Sequence, residues 1–262
     1  MGVRSRGPLR YFLTTNTRVL VAGATGTIGR VLCRLLVADG WHVVGTTRTA
    51  EAAATLEASG VEAAIVDVFD GEALRTAVLA ARPSAVIHQL TDLPKQWDAE
   101  ELKKAFPRNA LIREIGTKNL VDACVAAGVS DVIAQSIAFA YAPGRQPFAE
   151  DAPLHVNASD PVAARTARAV QTLESLVLNG PFRGVVLRYG RFYGPGTWTS
   201  EPRESPSVHI DAAADAARLA LVRGEAGIYN IAEPDGTVSV AKAVSQLGWN
   251  PGFREPGLAE RV

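Results

Sequence analysis

Cysteine is almost missing from this chain. Its 262 residues hold two, Cys33 and Cys124, both on apolar faces of predicted helices, which reads as small buried hydrophobes rather than a disulfide or a redox pair. An excess of one charge is missing as well. The 27 Lys and Arg are matched by 27 Asp and Glu, which argues against a nucleic-acid surface. No apolar run approaches the roughly 18 residues that a bilayer span needs, and no group of His, Cys, Asp and Glu has metal-ligand spacing. Residues 1–16 are basic but lack the apolar stretch and cleavage site of a targeting segment, so they read as a flexible extension. These absences predict a cytoplasmic protein with neither a membrane nor a nucleic-acid partner. The rest is ordinary for a globular chain, 47% hydrophobic and 21% charged, and long enough for one large core or one core with an appendage.

The first organised stretch is Arg18 to Arg30. A short apolar run, Val19 to Ala22, meets Gly23-Ala-Thr-Gly26-Thr-Ile-Gly29, and a helical pattern starts at once. The run reads as a buried strand and the glycines as the turn after it. Gly23 allows a tight turn, Gly26 a close backbone approach, and Gly29 tight packing of helix on strand. The helix aims free N–H groups and its positive end at whatever fills the turn, and a pyrophosphate is the natural occupant. Glycines spaced three and three are a variant of the dinucleotide fingerprint.

Strands are then predicted over His42–Thr46, Val61–Asp67, Ala85–His88, Asp131–Ala134 and Gly184–Leu187, alternating with helices over Val31–Ala38, Ala50–Ser59, Gly71–Ala81, about Glu100–Ala127 with a bend near Pro107, and Asp160–Leu178. That alternation means βαβ units and a parallel sheet, and with a phosphate turn after the first strand it predicts a Rossmann-type, doubly wound α/β fold. Residues 17–190 form the dinucleotide-binding domain in this reading, and 191–262 a small C-terminal substrate and lid region interleaved with it. That region holds a loop at Thr197–Pro206, a helix over Asp211–Arg223, a strand over Gly227–Ile231 and a helix over Val240–Leu247.

Ligands of this fold sit beyond the carboxyl ends of the strands. Arg48, 22 residues after Gly26, stands where an acidic residue would bind the ribose hydroxyls of NAD, and an arginine there suits the 2′-phosphate of NADP. Asp67 is placed to accept from the adenine amino group with Val68 against the ring, or else to cap the helix near Asp70. Ser136 is placed to donate to a substrate oxygen, or else to satisfy nearby backbone. His88, inside an apolar strand, reads as a core histidine, and His209 as a cap-region or substrate-facing group.

Several short motifs, in order, resemble the short-chain dehydrogenase/reductase superfamily, in its extended branch of nucleotide-sugar epimerases and dehydratases. They include Gly23-x-x-Gly26-x-x-Gly29, Val86-Ile-His-Gln-Leu90, Gly116-Thr-Lys-Asn-Leu120, Gln135-Ser136, Leu187-Arg-Tyr-Gly190, Tyr193-Gly-Pro-Gly196, Tyr229-Asn230 and Leu247-Gly-Trp-Asn-Pro251. The resemblance implies that Gly23, Thr25, Gly26, Thr27, Ile28 and Gly29 hold the pyrophosphate. It puts Asp67 and Val68 at the adenine and Gln89, Leu90 and Thr91 along the nicotinamide-side ribose. Ser136 falls on the catalytic serine or threonine, and Tyr189 faces the nicotinamide. The cofactor it implies is NADP, with NAD as the alternative.

The chain departs from that family at the proton relay. The family's reaction uses a Tyr-x-x-x-Lys pair, and setting Glu174 on the glutamate that follows it puts Thr166 at the tyrosine and Val170 at the lysine. No tyrosine or lysine occurs between Tyr141 and Tyr189. Arg113 stands where an asparagine usually precedes Gly-Thr. The segment from Tyr229-Asn230 to Leu247 is too short to enclose a nucleotide-sugar diphosphate in the usual way. Two readings follow: an oxidoreductase or epimerase/dehydratase-like enzyme on a small organic or sugar-like substrate, using Ser136 with Tyr141 or Tyr193 as a substitute phenol, or a binding module that senses NADP without turning it over. Chemistry that keeps the cofactor but is not redox is not separated from these. A homodimer through the 100–127 and 160–178 helices and intramolecular packing of the same faces are both open.

Overall fold

The computed structural model describes residues 17–94 and 96–255; the predicted N-terminal extension lies outside them. The apolar runs become a seven-stranded sheet in the order β3-β2-β1-β4-β5-β6-β9, parallel throughout. Its strands are β1 (Arg18–Ala22), β2 (His42–Thr47), β3 (Glu62–Ile65), β4 (Ala85–His88), β5 (Asp131–Ile137), β6 (Arg183–Tyr189) and β9 (Gly227–Ile231). The central strands are buried on both faces, which explains why they read as unbroken apolar runs rather than alternating ones.

Helices cover both faces. On one side α1 (Thr27–Ala38) and α7 (Ile210–Arg223) pack against the sheet and each other, and Trp249, buried, donates its indole N–H to the Ala212 carbonyl at 2.8 Å. On the other lie α3 (Gly71–Ala81), α5 (Thr117–Ala127) and α6 (Pro161–Leu178). The remaining helices are α2 (Ala50–Ala58) and α4 (Ala99–Leu111). Cys33 and Cys124 are unpaired and buried, one in each layer, and burial pushes both thiols up to about 12.

Start signals explain most of the helix ends. Thr49, Asp70, Asp98 and Asp160 each accept a backbone N–H at the first turn of α2, α3, α4 and α6. Asp70, not Asp67, is thus the cap of α3. His209 caps α7 by accepting from the Asp211 N–H at 3.2 Å. Helix α1 alone among the described helices that follow a loop begins without a side-chain cap, on Gly26.

Three expectations need correction, and one ribbon was not anticipated. Strand β5 runs to Ile137, so Ser136 lies inside the strand rather than at its end, because Ser136 and Ile137 pair with Arg188 and Tyr189 of β6. The 100–127 helix absorbs Pro107 within α4, and its irregularity is a π-type turn at Ile112–Gly116 between α4 and α5. The last predicted helix is a short π-type turn, Ala243–Leu247, following residues 241 and 242. Finally, Arg191–Tyr193 (β7) and Ser207–His209 (β8) pair as a two-stranded parallel ribbon that bounds the 194–206 loop.

Candidate dinucleotide and substrate site

The glycine turn is built so tightly that its residue types are dictated. Gly23 has φ +90°, and a Cβ on it would lie 2.8 Å from the Gln89 carbonyl oxygen. A Cβ on Gly29 would lie 2.1 Å from the Gly23 oxygen. Gly26 is exposed and donates its N–H to the Gly23 oxygen at 3.0 Å. The uncapped first turn of α1 opens there, with Thr25 and Thr27 half-buried beside it and Ile28 anchored in the core. Orphan N–H groups at a helix start call for an anion or a cap, and this helix has no cap of its own.

Around the turn, Arg48 follows β2 directly, exposed and free of any partner among the described residues. Asp67 lies two residues past β3, exposed, and accepts the Phe69 N–H at 2.9 Å. Val68 packs where a Cβ on Gly116 would meet it at 3.1 Å. Gln89 is 5% exposed, and its amide lies beside the Tyr189 phenol, whose pKa it lowers against burial, but neither amide atom makes a hydrogen bond of full geometry. A buried amide left unsatisfied is expensive in a finished core and expected where a ligand completes it. Leu90 is half-buried and Thr91 exposed. These features fit a dinucleotide: a cradle that a Cβ would fill, an uncapped helix start, and an orphaned buried amide beside them.

The 194–206 loop is fastened across this end of the sheet at two points. Thr27 donates its hydroxyl to the Gly196 carbonyl at 3.2 Å, and Trp198 donates its indole N–H to the Pro94 carbonyl at 2.9 Å. Trp97 meets Trp198 edge to face at 5.4 Å.

The residues put forward for proton transfer are arranged differently. Ser136 is 1% exposed and donates to Glu174 Oε1 at 2.7 Å. Arg188 grips the same carboxylate through Nε and Nη2 at 2.8 and 2.7 Å, and its Nη1 donates to the Tyr141 hydroxyl at 2.9 Å. Tyr141 in turn donates to Asn230 Oδ1 at 2.6 Å. Ser136 and Tyr141 are therefore brought together, but inside a buried network. Beside it Ile137, Ala140 and Val170 form a small apolar cluster with Leu154 packed on it. Tyr193 donates to Glu233, accepts from Arg254 at 3.0 Å and lies edge-on to His209. Tyr189 is fully buried, donates to the Ala213 carbonyl of α7 at 3.1 Å, and has its phenol beside the Gln89 amide.

No described phenol is acidified. Burial raises Tyr141 despite the guanidinium beside it, and raises Tyr189 and Tyr229. Burial, reinforced by Glu233, pushes Tyr193 up to about 12. A general acid working near neutral pH needs the reverse. His88 is held by Thr117 at 3.0 Å, and burial, then the nearby Arg113, brings it down to about 4, so it is a core histidine as expected. Sequence reasoning overlooked the Glu174–Arg188 pair as a structural unit and the Trp97–Trp198 contact. Arg188, a charge within the apolar run Val185–Tyr189, was the signal for the first.

The family model described as "NAD dependent epimerase/dehydratase family" matches residues 19–226. A Streptomyces sp. relative, a 3-diazoavenalumate denitrifying reductase, is 44% identical over 227 residues, 86% of this chain and 71% of the relative. Among solved structures, the Thermotoga maritima UDP-glucose 4-epimerase with UDP-glucose superposes with a TM-score of 0.71 at 18% identity, over 90% of this chain and 94% of that one. The Thermus thermophilus UDP-glucose 4-epimerase in complex with NAD gives 0.64 at 25% identity, over 89% and 84%. With the parallel sheet, the glycine cradle and a matched segment that spans most of its length, the chain belongs to the NAD-dependent epimerase/dehydratase family.

Proposed function

We propose that the chain is an NADPH-dependent reductase that removes nitrogen from a small diazo-bearing carboxylate, replacing it with hydrogen. One contrast carries the reading: the dinucleotide cradle is intact, while every described phenol is committed to hydrogen bonds and raised in pKa. A protein with that combination is suited to hydride delivery and ill suited to protonating a carbonyl oxygen. The 44% relative is named for reductive denitrification of a diazo acid, which is chemistry of this kind.

In this reading Gly23, Gly26, Gly29 and the first turn of α1, with Thr25, Thr27 and Ile28, hold the pyrophosphate. Arg48 takes the 2′-phosphate, Asp67 and Val68 the adenine, and Gln89, Leu90 and Thr91 the nicotinamide-side ribose, with the orphaned Gln89 amide gaining its missing partners there. When bound, the reduced nicotinamide would supply a hydride; on the diazonium form of the group, R–N₂⁺ + H⁻ gives R–H + N₂, the C–N electron pair leaving with N₂, so no proton from the protein is needed, and a neutral diazo form would first take one proton from solvent. The protein's part is to orient the substrate and exclude water. The Thr27–Gly196 and Trp198–Pro94 contacts hold a cover over the reacting end, and Ile137, Ala140 and Val170 keep apolar the place where the family carries its proton relay.

The test is turnover of a diazo acid with deuterated NADPH. Dinitrogen should be released in step with cofactor oxidation, and deuterium should appear on the carbon that lost nitrogen. Tight NADPH binding without turnover would favour the sensor reading, and turnover of a nucleotide sugar instead would overturn the proposal.

A further inference from the structure

The π-type turn between α4 and α5 carries two neighbouring charges with different fates. Glu114 is held by Arg165 of α6 in a two-point ion pair, with Nη2 2.6 Å from Oε2. Arg113 is half-buried and has no hydrogen bond, ion pair or ring contact with any described residue. Burial alone brings its guanidinium down to about 10. Four residues earlier Asn109 clips the β4–α4 connection, taking the Asp92 N–H and giving its own amide to the Asp92 carbonyl, both at 3.0 Å. Arg113 is also close enough to His88, the last residue of β4, for its charge to act there. It therefore stands at the carboxyl end of β4, next to the stretch from Gln89 to Asp92. A desolvated cation with no counter-ion is costly to keep in a folded protein, and the neighbouring carboxylate of Glu114 is already engaged.

We propose that Arg113 is the receptor for the substrate's carboxylate, so that the substrate is a small acid seated by a two-pronged guanidinium contact. The identity of the rest of the substrate, a diazo-bearing acid, rests on the reductase reading above. A guanidinium fork matches a carboxylate in geometry and charge, and a half-buried one holds it more strongly than a surface residue would. Trp97 and Trp198, one in the β4–α4 connection and one in the covering loop, serve as reporters of occupancy.

The test uses the full chain with NADP⁺ present and two unreactive probes, 4-hydroxycinnamate and its methyl ester, titrated by calorimetry and by tryptophan fluorescence. Wild type should bind the acid at least about tenfold more tightly than the ester, the loss expected for one charge-assisted pair. Arg113→Met should bring the acid down to the ester's affinity, while Arg113→Lys keeps part of the preference. Arg113→Met should also melt no lower than wild type, since a merely structural arginine would lower the melting temperature when removed. Equal binding of acid and ester by wild type, or binding of neither, overturns the proposal. So does an Arg113→Met protein that keeps the acid preference or loses NADPH affinity instead. If Arg113→Met does not fold, the ratios for wild type and Arg113→Lys decide. An acid preference lost in Arg113→Met alongside absent diazo turnover would keep this inference and remove the reductase reading. Diazo turnover that treats acid and ester alike would do the reverse.

Discussion

Replacing Ser136 by alanine separates a structural hydroxyl from a catalytic one. Its Oγ lies 2.7 Å from Glu174 Oε1 in a site that is 1% exposed, and Glu174 also receives two bonds from Arg188. A hydrogen bond to a charged acceptor contributes about 1.5–3 kcal/mol. The variant leaves Glu174 with both guanidinium bonds and Arg188 with its partner, so the loss falls at or just below the lower end, about 1–2 kcal/mol. For a chain of this size that lowers the melting temperature by about 2–8 °C. A hydroxyl that donated to substrate would behave differently, because its removal would slow turnover by about 10²–10⁴-fold. The assay is thermal denaturation and steady-state turnover on one preparation of wild type and Ser136→Ala. We expect the melting temperature to fall and kcat to stay within about twofold, far short of a general-acid loss. An unchanged melting temperature with kcat reduced a hundredfold would refute the structural role, and with it the claim that the proton relay is absent.

Three further outcomes follow from the same geometry. Gly29→Ala puts a Cβ 2.1 Å from the Gly23 oxygen, so it should destabilise the fold by about 3 kcal/mol and abolish the melting-temperature rise expected of wild type with NADPH; an NADPH response equal to wild type's in this variant would show that the turn is looser than described. Arg48→Asp should shift the NADPH-to-NADH dissociation-constant ratio by about 10–100-fold toward NADH, measured by titration, and an unchanged ratio would remove Arg48 from the 2′-phosphate. In alkaline spectrophotometric titration the phenols of Tyr141, Tyr189, Tyr193 and Tyr229 should ionise only above the ordinary tyrosine range. Raised folded-state values mean that Tyr193's contribution is fully present below pH 10 and lost as pH climbs through about 12, so unfolding should accompany the phenolate signal rather than follow it.

Much of the architecture was legible because it is written in local terms. Continuous apolar runs such as Val19–Ala22 and Ala85–Ile87 mark strands buried on both faces, and Asp70 or Asp160 before a helical pattern marks its start. What escaped depends on distant partners. Gln135 and Ser136 read as the end of a strand because they are polar, yet pairing with Leu187 and Arg188 carries β5 onward. Ribbon β7–β8 joins segments that say little by themselves. The cradle was legible in the glycines, since a missing Cβ is a sequence fact. The fate of Ser136 was not, because nothing local says that its hydroxyl turns to Glu174, 38 positions away.

The Ser136–Glu174–Arg188–Tyr141–Asn230 network has a consequence for how the chain is made. It ties β5, α6 and β6 to β9, across the boundary at 190 that the strand and helix pattern suggested. During synthesis, the first 190 residues leave the ribosome with a buried arginine, a tyrosine and an open sheet edge all waiting for Asn230 and its strand. Residues past 190 are thus the closing piece of one cooperative unit rather than an accessory to a finished one. A truncation at that boundary should yield an aggregation-prone fragment in place of a nucleotide-binding domain.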